Sequence, residues 1–263
     1  MNENPLPPFR PETVPPTTAV RVPLPAAVPT VTYAILGLTI AVYILQFVSV
    51  ALLGLSPQGI DWLELYGARI NVLIRAGEVW RFFTPALLHA SVPHILFNMY
   101  ALFAFGPSLE RNFGHKRFLL LYVLSAFTGN VFSFFLMGDS GYSVGASTAI
   151  FGLVGAEGLF LYQNRSLFGD QVRRAISNIV FVVIVNLVIS LVPGVDLWGH
   201  IGGLLGGLIF TWFAGPRWEV KGVYPSFQLA DRRDVRDVVL GILAVFIPFA
   251  FLAVWGMTAP IVR

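Results

Sequence analysis

WGHIGGLLGGLIFTWFAG, residues 198–215, holds one ionisable side chain, His200. Its glycines recur at four-residue spacing, Gly199, Gly203 and Gly207 on one line and Gly202 and Gly206 on another. Small residues at that spacing let two membrane helices approach closely. The stretch is near the ~20 apolar residues that span a bilayer, so it reads as a membrane helix that buries a histidine against a neighbour.

The rest of the chain agrees. Of 263 residues 56% are hydrophobic and 12% charged, against about 25% charged in soluble proteins. Seven stretches qualify as spans. The clear ones are 31–54, 118–137, 175–192 and 238–258; the polar or Gly-rich ones are 93–109, 145–163 and 197–214. The expected fold class is all-α, a polytopic membrane helix bundle. Polar groups in a span face a bundle interior or a water-filled cavity. The three polar spans are therefore expected inside, shielded by the other four.

Residues 1–30 hold nine of the 18 prolines and read as a disordered cytoplasmic tail. Residues 31–215 form the expected membrane domain, and 216–263 a cytoplasmic loop with an extra helix. Arg111, Lys116 and Arg117 lie between spans 2 and 3, Arg165, Arg173 and Arg174 between 4 and 5, and Arg217, Lys221, Arg232, Arg233 and Arg236 between 6 and 7. Basic loops face the cytoplasm. The N-terminus is thus expected inside, the C-terminus outside, in what reads as a bacterial plasma membrane. The 55–92 loop, with Trp62, Leu63, Leu65, Trp80 and Phe82, is expected to lie in the outer interface.

Spans 2, 4 and 6 then all run inward. His94 and Asn98 open span 2, Ser147 opens span 4 and His200 opens span 6. Four polar residues at one depth suit nucleophilic catalysis, which needs a base for the hydroxyl and donors for an oxyanion. Each has a plainer reading: Ser147 beside Gly145 as a helix N-cap, a membrane histidine as a structural hydrogen-bonder. Gly155 and Gly158 fall near the Ser147 face and are expected to help spans 4 and 6 close. No cysteine is present, and no nucleic-acid stripe, metal motif or cofactor motif.

WRFFTPALLHASVPHILFNMYALFAFG (80–106), GPSLERNFGHKRFLLLY (106–122), GASTAIFG (145–152) and WGHIGGLLGG (198–207) together resemble the rhomboid family of intramembrane serine proteases. The resemblance implies a six-helix core, with span 7 extra. It implies a dyad of nucleophile Ser147 and base His200, and an oxyanion site of His94, Asn98 and the Ser147 amide. Trp80 and Arg81 would order the outer loop, Glu110 and Gly114 shape the 2–3 turn, and Phe151 pack on the His200 ring. His89, Gly145, Gly199 and Gly203 are further supporting positions. The partners it implies are single-span membrane proteins, cut near their non-cytoplasmic end, and the lipid bilayer. The sequence does not set the oligomeric state.

Thr148 departs from the small residue many members carry after the serine, and is expected to crowd the oxyanion region or narrow the pocket toward small residues such as Ala. Asp196, four residues before His200, reads as a helix cap rather than a third catalytic group. Glu157 points about 80° from the Ser147 face at 100° per residue and is expected to pair with a polar neighbour or snorkel inward. The competing readings are a non-catalytic relative that binds membrane clients, and a transporter, which would show internal repeats.

Overall fold

The computed structural model describes residues 28–223 and 226–258. Most of the expected tail therefore lies outside the described residues. Seven long helices follow in order: α1 (Thr30–Leu53), α2 (Val92–Phe113), α3 (His115–Leu136), α4 (Ser147–Gln163), α5 (Gln171–Ile189), α6 (Leu197–Ala214) and α7 (Val235–Thr258). All but α4 are long and apolar enough to cross a membrane. α4 has 17 residues, at the short end of the roughly 17–25 that span a bilayer. α3 and α5 start ahead of the apolar runs expected at 118 and 175, because hydropathy stops at His, Lys, Arg and Gln while the backbone helix does not.

α6 packs against α3 on one side and α4 on the other; α7 covers α3 and α6, α1 lies along α2, and α5 leans on α4. Lipid supplies no hydrophobic force between helices, so close packing must come from small residues. A Cβ at Gly203 or Gly207 would overlap the main-chain oxygens of Thr148 and Gly152 on α4. Gly202 and Gly206 do the same on the opposite side, against Thr128, Gly129 and Phe132 of α3. The two glycine lines thus serve two neighbours. Gly155 does meet α6, at Leu204 and Leu208, but Gly158 faces Ile179 of α5.

One expectation is overturned. α3 is not an outer helix but the most enclosed of the membrane-spanning candidates, while α2 exposes Leu96, Phe97, Tyr100 and Phe103. The reason lies in α3's buried face. Ser125, Thr128, Gly129, Asn130 and Ser133 are all buried there, and they are small or able to bond within the helix, as Asn130 does to Ala126 O at 3.0 Å.

The 54–91 connection folds onto the bundle. Its strand β1 (Arg69–Ile70) pairs antiparallel with β2 (Tyr142–Ser143), joining the α1–α2 loop to the α3–α4 loop. A second hairpin, β3 (Trp218–Lys221) with β4 (Gln228–Asp231), leads into α7. It is tied to α3 by the Arg117–Asp231 ion pair and to the end of α4 by Trp218 N–H donating to Asn164 Oδ1 at 2.8 Å.

Candidate active site

The site forms where α4 and α6 begin. Gly145 adopts φ +128°, a conformation other residues rarely reach, and its N–H donates to Pro85 O at 2.9 Å. This turn delivers Ser147 to the first position of α4. Ala146, not Ser147, is the N-cap, and no side chain caps that helix. The capping reading of Ser147 is thereby excluded, and its hydroxyl is left for another partner.

That partner is His200. Ser147 Oγ and His200 Nε2 lie 2.8 Å apart, within the range over which a proton passes between a hydroxyl and a base. The Phe151 ring, one turn along α4, stacks on the imidazole with centroids 4.3 Å apart and planes 13° from parallel. His200 is buried, at 7% exposure. Its other nitrogen, Nδ1, is 2.6 Å from Ser190 Oγ at the end of α5.

Asp196 does not reach the imidazole's hydrogen-bonding nitrogens. Its Oδ1 caps α6 by accepting from Gly199 N–H at 2.9 Å and also accepts from Ser133 Oγ at 2.6 Å. Its Oδ2 pairs with Arg69 Nη2 at 3.2 Å, and the Arg69 side chain is fully buried. The carboxylate is a junction of β1, α3 and α6.

His94 and Asn98 lie one turn apart on α2. A Cβ on Gly145 would sit 2.6 Å from His94 Nε2, so the imidazole edge faces the Gly145–Ser147 turn. Asn98 is buried, and its Nδ2 donates to His94 O at 3.0 Å. His89 lies against His94, with ring centroids 4.9 Å apart, and its Nε2 accepts from Ala146 N–H at 3.4 Å. Burial, aided by nearby His94, pushes the His89 pKa down to about 3, so the ring is neutral and free to accept.

The 54–91 connection is braced by Arg81. Its guanidinium donates to Ala68 O (2.6 Å) and Leu65 O (2.8 Å) and pairs with Glu78. Trp80 Nε1 donates to Tyr66 O at 3.0 Å. Glu64 is buried below, where burial raises its carboxyl pKa and a hydrogen bond from Tyr142 O–H at 3.0 Å opposes the rise.

One sequence expectation needs correction, and two buried acidic residues find their partners. Thr148 is buried toward α3 and α6: a Cβ on Gly129 would lie 2.6 Å from its Cβ, and one on Gly199 3.0 Å from its Cγ2. It packs between helices and does not crowd the His94 side, so it gives no basis for a small-residue preference. Glu110 accepts from Val31 N–H (2.8 Å), Thr32 N–H (2.7 Å) and Thr32 Oγ (2.6 Å). It therefore caps the start of α1 and also meets His115 in the 2–3 turn. Glu157, deeper in α4, has the polar neighbour expected of it, accepting from Ser108 Oγ at 3.4 Å. Sequence reading missed Ser190 and Arg69. Neither carries a local signal, because each meets its partner across a loop or from another element.

A cleft of about 70 Å³ opens between α2, α4 and α5, lined by Ala101, Phe105, Ile150, Phe151, Val154 and Asn186 among others. Phe151, which lines it, also stacks on the His200 ring, so the cleft lies on the far side of that ring contact from the paired serine and histidine.

Residues 76–217 match the Rhomboid domain. The chain is 41% identical over 181 residues to the Rhomboid protease GluP of Bacillus subtilis, covering 68% of this chain and 34% of that protein. It is 37% identical over 143 residues to the putative rhomboid protease YdcA of the same organism, covering 54% of this chain and 70% of YdcA. To RHOMBOID-like protein 1 of Arabidopsis thaliana it is 36% identical over 155 residues, covering 59% of this chain and 39% of the relative. It thus spans about a third of GluP's length and two fifths of the plant protein's. The matched segment runs from the Arg81-braced loop through the glycine lines of α6. This chain, an integral membrane protein, belongs to the rhomboid family.

Proposed function

We propose that the protein is an intramembrane serine endopeptidase acting through Ser147 and His200. The observation that carries this is the 2.8 Å contact between Ser147 Oγ and His200 Nε2, at the start of two helices of a membrane bundle. In acylation, His200 Nε2 takes the Ser147 proton as Oγ attacks the substrate carbonyl. The tetrahedral oxyanion is held by the Ser147 N–H, His94 and Asn98, and collapse passes the proton from His200 to the leaving amine. Water then repeats the sequence: it loses a proton to His200, attacks the acyl ester, and Ser147 leaves with that proton.

Substrates are single-span membrane proteins. A peptide bond inside an intact helix is shielded by its own hydrogen bonds, so a span that unwinds readily, through Gly or Pro, is the better substrate. The basic loops support an N-terminus in the cytoplasm. The Ser147 end of α4 then faces outward, and cleavage falls near the non-cytoplasmic end of the substrate span. The likeness to two Bacillus subtilis proteins supports a bacterial plasma membrane as its location.

The test is cleavage of a purified single-span substrate by wild type, Ser147→Ala and His200→Ala, with mass spectrometry of the products. Both variants should lose activity, and the double variant should be no worse than either, because the pair acts as a unit. Loss of one oxyanion donor costs on the order of 10²-fold, so Asn98→Ala should lower kcat more than it raises KM. Labelling by a fluorophosphonate should require Ser147. Substantial cleavage by Ser147→Ala removes the assignment, and cuts clustered at the cytoplasmic end remove the orientation.

A further inference from the structure

The neutral imidazole has two tautomers, and only one can act as the base. His200 Nε2 must carry the lone pair toward Ser147, so the proton must sit on Nδ1. Serine proteases commonly assign that choice to a carboxylate. Here Asp196 is committed to Gly199 N–H, Ser133 and Arg69, and Nδ1 faces a hydroxyl instead.

Ser190 Oγ touches two groups. It is 2.6 Å from His200 Nδ1 and 2.6 Å from Asn186 O, the carbonyl one turn back in α5. Ser190 is buried, at 3% exposure. The hydroxyl has one proton to give. A carbonyl oxygen only accepts, so at that distance the proton must point at Asn186 O; otherwise two oxygens face each other lone pair to lone pair. The Ser190 oxygen then offers only a lone pair to Nδ1, which must bear hydrogen. The result is a directed chain: Ser147 O–H to Nε2, Nδ1–H to Ser190 Oγ, Ser190 O–H to Asn186 O. The opposite tautomer forms one hydrogen bond fewer and leaves the oxygen pair unbridged.

We propose that Ser190 is a positioning residue for the reaction, fixing His200 in the tautomer that accepts the Ser147 proton. This rests on the Ser147–His200 reading above. When Nε2 is protonated during attack, the Nδ1–H already has its acceptor, so the imidazolium forms without a change of ring position. The assignment also makes α5, of whose described residues Ile179 is the buried one, a contributor to the site through its final turn.

The experiment uses the full chain, with ¹⁵N-labelled histidine, in bilayers. The neutral His200 ring of the wild type should show its proton on Nδ1. Ser190→Ala should mix the tautomers and lower kcat with KM unchanged; a mis-set tautomer in a Ser–His–Asp triad costs about 10⁴-fold, and a neutral hydroxyl directs less strongly, so the loss here should be about 10- to 100-fold. Ser190→Thr, which keeps the hydroxyl, should restore most of it. A wild-type proton on Nε2 overturns the proposal, and that spectrum needs no variant to fold. An unchanged kcat in Ser190→Ala overturns it too, as does a lost kcat with the proton still on Nδ1, which would mark a packing role. Cleavage surviving Ser147→Ala would sink the function while leaving the tautomer result to stand alone.

Discussion

Replacing Asp196 with Asn separates the cap that the sequence assigns to this position from the ion pair that the structure adds. As a cap, Asn serves as well as Asp, and the change would be silent. The structure adds a fully buried guanidinium, Arg69, 3.2 Å from Asp196 Oδ2. Burial already lowers the Arg69 pKa, and the neighbouring Asp196 carboxylate works against that shift. In Asp196→Asn one face of the amide must fail. If Oδ1 keeps Gly199 and Ser133, Nδ2 meets another donor in Arg69; if the amide turns, the cap is lost. Removing one member of a buried pair costs about 3–5 kcal/mol. The expected loss is therefore about 3–5 kcal/mol in an SDS unfolding titration, against about 1 kcal/mol for a cap alone. Arg69→Met combined with Asp196→Asn should recover most of it, because no cation then remains unpaired. The kcat of the folded fraction should stay within tenfold of wild type. A loss under 1 kcal/mol would refute the buried-pair argument. A fall of three decades in kcat with the protein still folded would show Asp196 acting on His200 after all.

Gly203→Ala should cost about 1–3 kcal/mol and depress kcat, since its Cβ meets the Thr148 main chain and must push α6 from α4; Gly37→Ala on α1, with open space around it, should do neither, and equal effects would dismiss the packing argument. His89, held down to about pKa 3 by burial, binds fewer protons folded than unfolded between about pH 6.5 and 3. Stability should therefore be flat above about pH 6.5 and fall by about 2 kcal/mol between pH 7 and pH 5; His89→Gln should flatten that slope in paired titrations, and parallel curves would count against it. Glu110→Gln should lose about 1.5–3 kcal/mol by weakening the cap on α1, and a thermal unfolding curve matching wild type would contradict this.

How much of this was legible depends on how far apart partners lie in the chain. The span count and the glycine lines of α6 follow from composition and spacing within single helices. The common depth of His94, Ser147 and His200 needed only the alternation of basic loops. Hydropathy failed at α3, where it averages over faces: the Phe and Leu side chains outnumber Ser125, Thr128 and Ser133, yet the small polar face is the one against α6. The resemblance misled at Thr148, because one residue's direction on a helix depends on which neighbour is closest. Arg69 and Asp196 are 127 residues apart, and no periodicity links a two-residue strand to the start of α6.

Those long-range pairs also explain how so many polar groups persist at one end of a membrane bundle. An unpaired polar group there is expensive, and several such side chains meet partners well separated from them in the chain. Arg81 binds the carbonyls of Leu65 and Ala68, Arg69 binds Asp196, and His89 binds Ala146 N–H. The glycine contacts set the α4–α6 distance from within the bundle, while this polar layer fixes the loops that deliver Gly145 and Asp196. Two independent constraints thus converge on the Ser147–His200 contact. Disturbing the polar layer should lower stability before it lowers turnover, whereas disturbing the glycine packing should lower both together, because only the latter sets the Ser147–His200 distance.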